Sequence, residues 1–402
     1  MSRRRALTPL LLATTATQAS IVVLAPIVVD IGRDFGASVS AVGQARTIMA
    51  GTAVLAAFAV GPLIDRIGVR PLIVRGSALA LVGALASALS PTLPVFFAAQ
   101  LMTGAGVACL LSAGFAGVGA FFGDEDTGWA MGYVVGAQSI AWIVGTPLIG
   151  VLSDSVSWRL GYALPALAAL AALVAALTLA PTQAPKPAAG SSAPGAFGLR
   201  DVLRDASARR WTISELVAYA AWTADLTYIG AFYIETYDSS TTTVGFLLAI
   251  GSLCFLATTI TTPRWLGRYP RRPLVIASAL AMGSLVALTL NVTPSVFFTL
   301  AVFCVMAVFA GLRTTGSSLL GLDQLPERPG SMMGARTASA QLGYMIGASA
   351  GGAVLALAGF GALGFVILTG MAISALLLTG VRDPEHATPR RAREPLPEPV
   401  PD

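Results

Sequence analysis

Long apolar runs recur along this chain of 402 residues, and they constrain its fold more than any other feature. Each run is about 20 residues long, enough for an α-helix to cross the roughly 30 Å hydrocarbon core of a membrane. Hydrophobic residues make up 55% of the chain and charged residues 11%, which is more apolar surface than a soluble core could bury. Residues 163–180 are continuously apolar rather than alternating, which favours helices over a β-barrel. The sequence therefore predicts an all-α membrane protein.

The runs predict twelve transmembrane helices, which we number helix 1 to helix 12 in chain order. They cover residues 8–31, 39–60, 71–90, 93–121, 129–152, 158–180, 211–235, 242–262, 273–291, 294–320, 330–357 and 360–381. Because the first run follows Arg3, Arg4 and Arg5, it also has the form of a cleavable signal peptide. The run continues to residue 31 and pairs with a run in the second half of the chain, so we expect helix 1 to be retained.

Most of the 25 Lys and Arg residues fall on one side of this predicted topology. They lie in the two termini and in the loops after helices 2, 6, 8 and 10, whereas Arg33 and Arg159 fall on the opposite side. Positively charged loops stay in the cytoplasm, so both termini are expected there. This topology accounts for the net charge of +5 without a nucleic-acid partner, and we expect none.

Cysteine and histidine, which often carry chemistry, are scarce in this sequence. Cys109, Cys254 and Cys304 all lie in predicted helices without metal-ligand spacing, so we expect packing roles and no metal site. The single histidine, His386, lies in the polar tail, which argues against a histidine proton relay. The sequence has no nucleophile with a nearby base and no phosphate-binding glycine loop, so we expect neither an enzyme nor a cofactor.

The chain repeats itself at an offset of 202 residues. The offset aligns Arg70 with Arg272, each followed by Pro and Leu, and it aligns a group of positions near helix 5 with a group near helix 11. The second group pairs Gly128 with Gly330, Met131 with Met333, Gly132 with Gly334, Gly145 with Gly347 and Gly150 with Gly352. A shared offset at two distant places predicts two pseudo-symmetric six-helix halves.

Four segments follow from this repeat. We predict an N-terminal half at 1–180, a cytoplasmic linker at 181–208, a C-terminal half at 209–382 and a disordered cytoplasmic tail at 383–402. Two parallel six-helix halves with a solute site between them form a known transporter architecture, in which rocking of the halves gives alternating access. The sequence therefore predicts a transporter of a small solute, which works in the lipid bilayer as a monomer.

The loop after helix 2 reads Gly61-Pro62-Leu63-Ile64-Asp65-Arg66-Ile67-Gly68-Val69-Arg70. It resembles the signature loop of the major facilitator superfamily, and with the predicted helices and repeat the resemblance extends over residues 5–382. The resemblance implies the major facilitator fold and a conformational latch made by Gly61, Asp65, Arg66, Gly68 and Arg70. In that family the carboxylate docks on the N-terminal end of helix 11, here near residues 330–333, since a helix N-terminus favours an anion.

Within helix 5, residues 142–150 resemble a motif of the drug/proton antiporter branch of this superfamily. The resemblance is carried by Gly145, Pro147 and Gly150. Thr146 stands where the motif prefers glycine, and in helix 4 Gln100 occupies a place where many proton-coupled members have arginine. The resemblance implies export coupled to proton entry. The role that the arginine has in those members cannot be assigned to Gln100.

Helix 7 carries two acids inside the membrane, where ionisable groups are costly and usually functional. Glu215 and Asp225 fall on one face, because a helix advances about 100° per residue. The face also contains Trp211, Trp222 and Ile229. Asp225 lies deeper, and since burial disfavours the charged form of an acid, it is a candidate carrier of a coupling proton. For Glu215 the alternative is a permanent ion pair with Arg313 or Arg336.

Three arginines, Arg46, Arg313 and Arg336, also lie inside predicted helices. One alternative is a permanent ion pair of Arg46 with Asp225 or with Asp30, which lies near the end of helix 1. A second alternative is that Arg46 and Arg313 bind an anionic solute, since a guanidinium offers fixed donors to a carboxylate. Arg336 lies about one turn inside helix 11, so we expect its side chain to extend to the cytosol.

Aromatic and amide side chains within the predicted helices suit an amphiphilic aromatic solute. The candidates for the wall of a solute cavity are Gln138, Trp142, Tyr219, Trp222, Tyr228, Gln341 and Tyr344.

Three function classes are compatible with these features. The first is proton-coupled efflux of a small amphiphilic or drug-like solute. The second is import or facilitated diffusion of a small organic anion through Arg46 and Arg313, a class that Gln100 in place of arginine also favours. The third, a sensor with a transporter fold, is disfavoured because neither terminus carries a folded signalling domain. We expect efflux across the inner (cytoplasmic) membrane of a bacterium, a source that the Ala-rich and Arg-rich composition suggests.

Overall fold

A computed structural model describes residues 3–122, 130, 133–134, 136–178, 202–266, 269–325 and 329–383 of the chain. Nearly all of these residues are helical, and none of them forms a β-strand. The described helices pack lengthwise against one another as a bundle. The predicted all-α membrane fold of twelve helices in two halves is confirmed.

The helices of the first half follow the predicted order. Their bounds are Arg3–Val22 and Leu24–Phe35 for helix 1, Val39–Ile67 for helix 2, Val69–Ala88 for helix 3, Leu93–Phe121 for helix 4, Gly136–Ser155 for the continuously described part of helix 5, and Trp158–Gly161 with Ala163–Leu177 for helix 6. In helix 5 the turn over Ala141–Gly145 is a π-helix, directly before Pro147. Pro147 has no N–H for the helical ladder, which accounts for the irregular turn.

The second half repeats this arrangement. Its bounds are Ala206–Tyr237 for helix 7, Thr241–Leu266 for helix 8, Arg271–Asn291 for helix 9, Val296–Leu322 for helix 10, and Pro329–Thr379 for helices 11 and 12 together. Gly359, with a φ of 76°, divides this last stretch into its two helices. A φ in this range is readily adopted only by glycine, so the break is encoded at that residue.

Most of the twelve helices meet the length and composition of a membrane span. Among the described residues, eight helical stretches are long and apolar enough to cross a membrane, or nine when the bent pair Ala6–Val22 and Leu24–Phe35 counts as one span. One of these stretches, Ala335–Thr379, contains both helix 11 and helix 12. Helices 2 and 7 are not among them, but helix 2 packs against helices 4 and 11, and helix 7 against helices 1 and 11.

Helix 1 is broken, which the apolar pattern does not predict. Its two parts meet at Val23 at an angle of 44°. Pro26 in the first turn of the second part can neither donate to the helical ladder nor fit against the carbonyl group four residues before it. The break leaves carbonyl groups of this turn available to other donors.

Helix 7 begins at Ala206, five residues earlier than predicted. Asp205 caps it, since its Oδ1 accepts the Ala208 N–H at 2.8 Å while Arg382 Nη2 lies 2.6 Å from its Oδ2. Burial alone would raise the pKa of Asp205, but these hydrogen bonds and the arginine charge lower it. Most of the predicted linker and tail lies outside the described residues, so the domain boundaries stay predictions.

Two equivalent arginines make the same contact in both halves. Arg70 Nη2 donates to the Leu177 carbonyl at 3.1 Å, and Arg272 Nη1 donates to the Thr379 carbonyl at 3.4 Å. Both donors and both acceptors are separated by the 202-residue offset. The repeat thus preserves a specific cap on the ends of helices 6 and 12, in addition to the helix order.

The halves approach most closely at the end of the bundle opposite the chain termini, which we call the far end. A Cβ added to Gly150 of helix 5 would lie 2.5 Å from the Thr241 carbonyl oxygen of helix 8. A Cβ added to its repeat partner Gly352 of helix 11 would lie 2.7 Å from Gln44 Nε2 and 3.2 Å from the Ser40 carbonyl oxygen of helix 2. The two crossings are therefore related by the repeat, and both depend on the absence of a side chain.

Two acids of the first half bind the start of helix 8 at the far end. Asp154 accepts the backbone N–H groups of Thr241 at 3.1 Å and Thr242 at 2.6 Å. Asp30 Oδ2 accepts hydrogen bonds from Ser153 Oγ at 2.9 Å and from Thr241 Oγ1 at 2.7 Å. A carboxylate satisfies the free N–H groups of a helix N-terminus and interacts favourably with its dipole.

The far end is closed in this structure. Among the described residues, the hydrogen bonds between the halves are of two kinds. Asp30 and Asp154 bind the start of helix 8, and Thr146 Oγ1 donates to the Gly245 carbonyl at 2.9 Å. The largest cluster of buried apolar side chains also joins the halves near this end, with Ile27 and Phe232 among its members.

We predict that Asp154→Ala shifts the protein toward a conformation with the far end open. Loss of two hydrogen bonds to a charged group removes about 1.5 kcal/mol or more, which changes a population ratio by about tenfold or more. The shift can be measured as an increased population of long distances between spin labels at the exposed positions Ser155 and Thr243, in a cysteine-free background.

Asp34→Ala is the matched control for this prediction. Asp34 also lies near the far end, but its contacts with Trp158 and Arg159 stay within the first half. The control should leave the distance distribution unchanged. Equal distributions for Asp154→Ala and the unmodified protein would show that the acid does not hold the halves together.

Candidate functional site

Helix 7 presents its predicted polar face to the neighbouring helices of the second half. Trp211 Nε1 donates to the carbonyl group and to Oγ of Ser317 in helix 10, at 3.0 and 3.1 Å. One turn further along, Glu215 contacts the same serine. Trp222 packs its ring edge against Phe255 of helix 8, with ring centres 5.8 Å apart. The face therefore positions its charged groups inside the bundle.

Glu215 is fully buried and lies between two arginines. Arg313 Nη2 of helix 10 lies 2.5 Å from its Oε1, which also accepts a hydrogen bond from Ser317 Oγ at 2.9 Å. Arg336 Nε of helix 11 lies 3.5 Å from Oε2, close enough for an ion pair but without hydrogen-bond geometry. In this structure Glu215 is therefore ion-paired with both arginines that were considered as its partners, and the permanence of these pairs stays a prediction.

We expected the Arg336 side chain to extend to the water at the start of helix 11, and this expectation was wrong. Its side chain is 22% exposed and points toward Glu215, and its Cζ lies 5.6 Å from the ring centre of Tyr219. A buried carboxylate and an aromatic face both attract a guanidinium. Here these attractions are stronger than the hydration that the side chain would gain by extending to the nearby water.

Two tyrosines connect this ion pair to the first half of the chain. The rings of Tyr219 and Tyr344 lie 5.7 Å apart in an edge-to-face arrangement. On the other side of this pair, Arg46 Cζ of helix 2 lies 5.5 Å from the ring centre of Tyr344. Arg46, Tyr344, Tyr219 and Arg336 thus follow one another across the boundary between the halves.

Arg46 pairs with neither of the acids considered for it. It is 6% exposed, and its Nη1 donates to the Ile21 carbonyl at the break in helix 1. Asp30 lies at the far end instead, and no ion pair joins Asp225 to Arg46. Among the described residues, Arg46 has a positive charge without an acidic partner, and its Nε has no hydrogen bond.

Asp225 is 5% exposed, ten residues further along helix 7 than Glu215. No described residue forms a hydrogen bond or an ion pair with its carboxyl group. The helical rise places it about 15 Å from Glu215 along the axis, so the two acids belong to different environments. Glu215 is neutralised by arginines, whereas Asp225 is not.

The first half contributes an amide and tryptophan cluster. Gln18 Nε2 of helix 1 donates to Gln138 Oε1 at 2.9 Å, and Trp142 Nε1 donates to Gln18 Oε1 at 3.4 Å. We did not select Gln18 from the sequence, although an amide in the middle of an apolar run was a usable signal. The cluster lies beside the π-helical turn of helix 5, which contains Trp142.

The other predicted cavity residues have packing contacts. Tyr228 is fully buried and donates to the Ala348 carbonyl at 2.9 Å, close to the helix 2 and helix 11 crossing. Gln341 is 8% exposed. Gln100, the helix 4 residue at a position where many proton-coupled members have arginine, was not a predicted cavity residue and donates to Ser87 Oγ at 2.9 Å within the first half. The structure thus brings together only part of the predicted set, around Tyr219, Tyr344 and the arginines.

The residues of the helix 5 motif have separate roles. A Cβ added to Gly145 would lie 2.8 Å from Leu164 Cδ2, so this glycine lets helix 6 approach helix 5. Gly150 serves the contact with helix 8 at the far end. Thr146 donates to the Gly245 carbonyl of the other half, a role that the comparison with a glycine motif did not suggest.

The predicted latch after helix 2 is described only in part. Gly68 ends helix 2 with a φ of 81°, as a tight turn requires, whereas Gly61 lies inside helix 2 rather than in a turn. Arg66 is exposed, and Arg70 bonds to Leu177. The side chain of Asp65 and most of those at residues 330–333 lie outside the described residues, so docking of the carboxylate stays a prediction.

Glu215→Gln should destabilise the protein, because it leaves the buried Arg313 and the half-buried Arg336 without a counter-charge. Breaking a buried ion pair by removing one partner costs about 3 to 5 kcal/mol. The expected result is a lower unfolding temperature of the purified protein in detergent. Glu235→Gln, at an exposed position of the same helix, should leave this temperature unchanged.

A second substitution tests the cause of this effect. Adding Arg313→Met to Glu215→Gln removes one of the two unpaired charges and should restore part of the lost stability. If Glu215→Gln unfolds at the temperature of the unmodified protein, the buried carboxylate does not neutralise the two arginines.

Comparison with curated proteins gives distant relatives of one kind. The chain is 27% identical over 205 residues to the multidrug resistance protein MdtM of Escherichia coli (strain K12), a match covering 51% of this chain and 48% of that protein. It is 26% identical over 157 residues to MdtM of Salmonella typhimurium, covering 39% of this chain and 38% of that protein. The matched segment spans about half the length of these relatives or less.

Solved structures share the fold over almost the whole chain. A mutant of the nucleoside transporter NupG superimposes with a TM-score of 0.76 at 15% identity, covering 93% of this chain and 97% of that one. A D-xylose-proton symporter also gives 0.76 at 15% identity, covering 96% and 99%. The model of the Major Facilitator Superfamily matches residues 10–240 and 211–401. With the twelve helices and the repeated halves, these matches show that the chain belongs to the major facilitator superfamily of membrane transporters.

Proposed function

We propose that this transporter exports a small amphiphilic solute in exchange for protons, by alternating access across a bacterial cytoplasmic membrane. The observation that carries the proposal is Asp225, a buried acid to which no described residue gives a charged or hydrogen-bonding partner. The name of the MdtM relatives, multidrug resistance protein, supports export of drug-like compounds.

Asp225 has the properties that a proton carrier needs. An isolated carboxyl group inside a membrane bundle is favoured in its neutral, protonated form, and it loses the proton when water reaches it. Glu215 differs from Asp225, because Arg313 and Arg336 both form ion pairs with it. Proton coupling is therefore assigned to Asp225, with Glu215 as part of the fixed framework of the second half.

The arrangement of the halves supports alternating access. Their hydrogen bonds lie at the far end, which the positive-inside rule places outside the cell. Under this proposal the tyrosine and arginine groups between the halves would receive the solute from the cytoplasmic side, since the far end is closed. Separation of the two glycine crossings at the far end would release the solute outward.

Half-buried aromatic groups in both halves suit an amphiphilic solute. Tyr219, Trp222 and Tyr344 are half-buried on the side of the second half, and Trp142 is half-buried in the first half. Such rings bind apolar and aromatic groups while their polar atoms orient the solute.

Import of a small organic anion is the second candidate function. The observation that favours it is Arg46, which has no acidic partner among the described residues. Arg313 is a weaker candidate for anion binding than Arg46, because its guanidinium already binds Glu215.

The proposal predicts that Asp225→Asn abolishes proton movement while solute exchange continues. The protein is reconstituted in liposomes with a pH-sensitive dye inside, and cationic, neutral and anionic aromatic compounds are added in turn. Proton flux with at least one compound is expected for the unmodified protein. Asn has nearly the same size as Asp but binds no proton, so flux should vanish.

Asp238→Asn is the control, because Asp238 ends helix 7 at the far end with a φ of 50°, a conformation that asparagine also accepts. The control should transport protons normally. Solute movement without proton flux in the unmodified protein would contradict proton coupling and favour the facilitator. Accumulation of anions in the direction of the cytoplasm would favour the importer.

A further inference from the structure

We propose that the solute carries an anionic group, and that the positive charges of Arg46 and Arg336, on opposite halves of the transporter, favour binding of this group beside the Tyr219 and Tyr344 rings. The inference rests on the proposed function only in assuming that a solute binds between the halves. It adds the charge of the solute and identifies Arg336 as a residue that determines specificity.

The first argument is the balance of charge. Arg46, Arg313 and Arg336 provide three guanidinium groups in this region, and Glu215 provides one carboxylate. Among the described residues no other acid pairs with these arginines. Positive charge without a counter-ion is costly inside a membrane bundle, so the site favours a ligand that brings negative charge.

The second argument is which arginines are free to bind. Arg313 is 3% exposed and already bonded to Glu215 at 2.5 Å. Arg336 is 22% exposed, and its Nε is not hydrogen-bonded. Arg46 uses Nη1 for the Ile21 carbonyl and leaves Nε without a partner. Arg313 Nε also lacks a hydrogen bond, but Arg313 is the least exposed of the three and its Nη2 already binds Glu215. Arg46 and Arg336 are therefore better placed than Arg313 to bind a ligand.

The third argument is the position of the rings. The two tyrosines lie between the two arginines, with Arg46 over Tyr344 and Arg336 over Tyr219. An aromatic carboxylate, sulfonate or similar anion can place its ring against the tyrosines while a guanidinium forms paired hydrogen bonds to its oxygen atoms. Because Arg46 belongs to the first half and Arg336 to the second, such a ligand would contact both halves at once.

The same geometry disfavours lipophilic cations. A cation between these rings would face two guanidiniums, and the acid that could balance it, Asp225, lies about 15 Å along helix 7 from Glu215. When one proton enters the cell and one anion leaves it, both movements make the inside more positive. The inside-negative membrane potential would therefore drive such an exchange.

Binding of three related probes tests the proposal without any flux measurement. The probes share one naphthalene ring and carry a carboxylate, the neutral amide, or a trimethylammonium group, and their affinities for the detergent-purified protein are measured by calorimetry. The carboxylate should bind at least tenfold more tightly than the amide, and the cation most weakly. Arg336→Gln and Arg46→Gln should each reduce the carboxylate-to-amide ratio about tenfold, and Arg336→Lys should retain part of it.

Arg33→Gln is the matched control, since it removes the same charge from a side chain that is 71% exposed at the far end. It should leave the ratio unchanged. A ratio is used because loss of folding would weaken both probes alike. An unchanged ratio in Arg336→Gln, or tighter binding of the cation than of the carboxylate, would overturn the proposal.

The proposal and the proton coupling fail separately. If the ratio falls in the arginine variants but Asp225→Asn still moves protons, anion recognition stands and Asp225 is not the coupling group. If Asp225→Asn stops proton flux while the probes bind without regard to charge, coupling stands and anion recognition is wrong.

Discussion

The absence of water inside the bilayer is the constraint on which the rest of this structure depends. A buried polar group is costly unless it finds a partner within the protein. Thr14, Thr17 and Ser20 of helix 1 donate to carbonyl groups four residues earlier, at 3.0 to 3.1 Å. Arg46 finds a carbonyl group at the broken turn of helix 1, and Glu215 binds two arginines. These pairings decide which polar groups are fixed in the framework and which remain available to a solute or a proton.

The helices and their repeat could be predicted because both depend on local pattern. An apolar run of sufficient length has no alternative to a helix in a membrane, and the 202-residue offset aligns the caps made by Arg70 and Arg272. Pairing of Glu215 with an arginine also followed from the cost of isolated charge. The sequence did not specify that both Arg313 and Arg336 would bind it.

The parts that could not be predicted depend on contacts between distant segments. Arg336 turns inward because Glu215 lies beside it, and no pattern near residue 336 contains that information. Gln18 and Thr146 have roles only because their partners, Gln138 and Gly245, approach from other helices. Asp154 lies at the end of its helix, where an acid is usually solvated, and its function follows from the position of helix 8.

The two crossings at the far end are alike in backbone but differ in charge. Gly150 and Gly352 make equivalent approaches, yet the repeat position of Asp154 is Ala356 and that of Asp30 is Phe232. The crossing of helices 5 and 8 is therefore reinforced by carboxylates, and the crossing of helices 2 and 11 lacks this reinforcement. Because the two crossings differ in this way, we expect helices 2 and 11 to separate more readily than helices 5 and 8 when the far end opens.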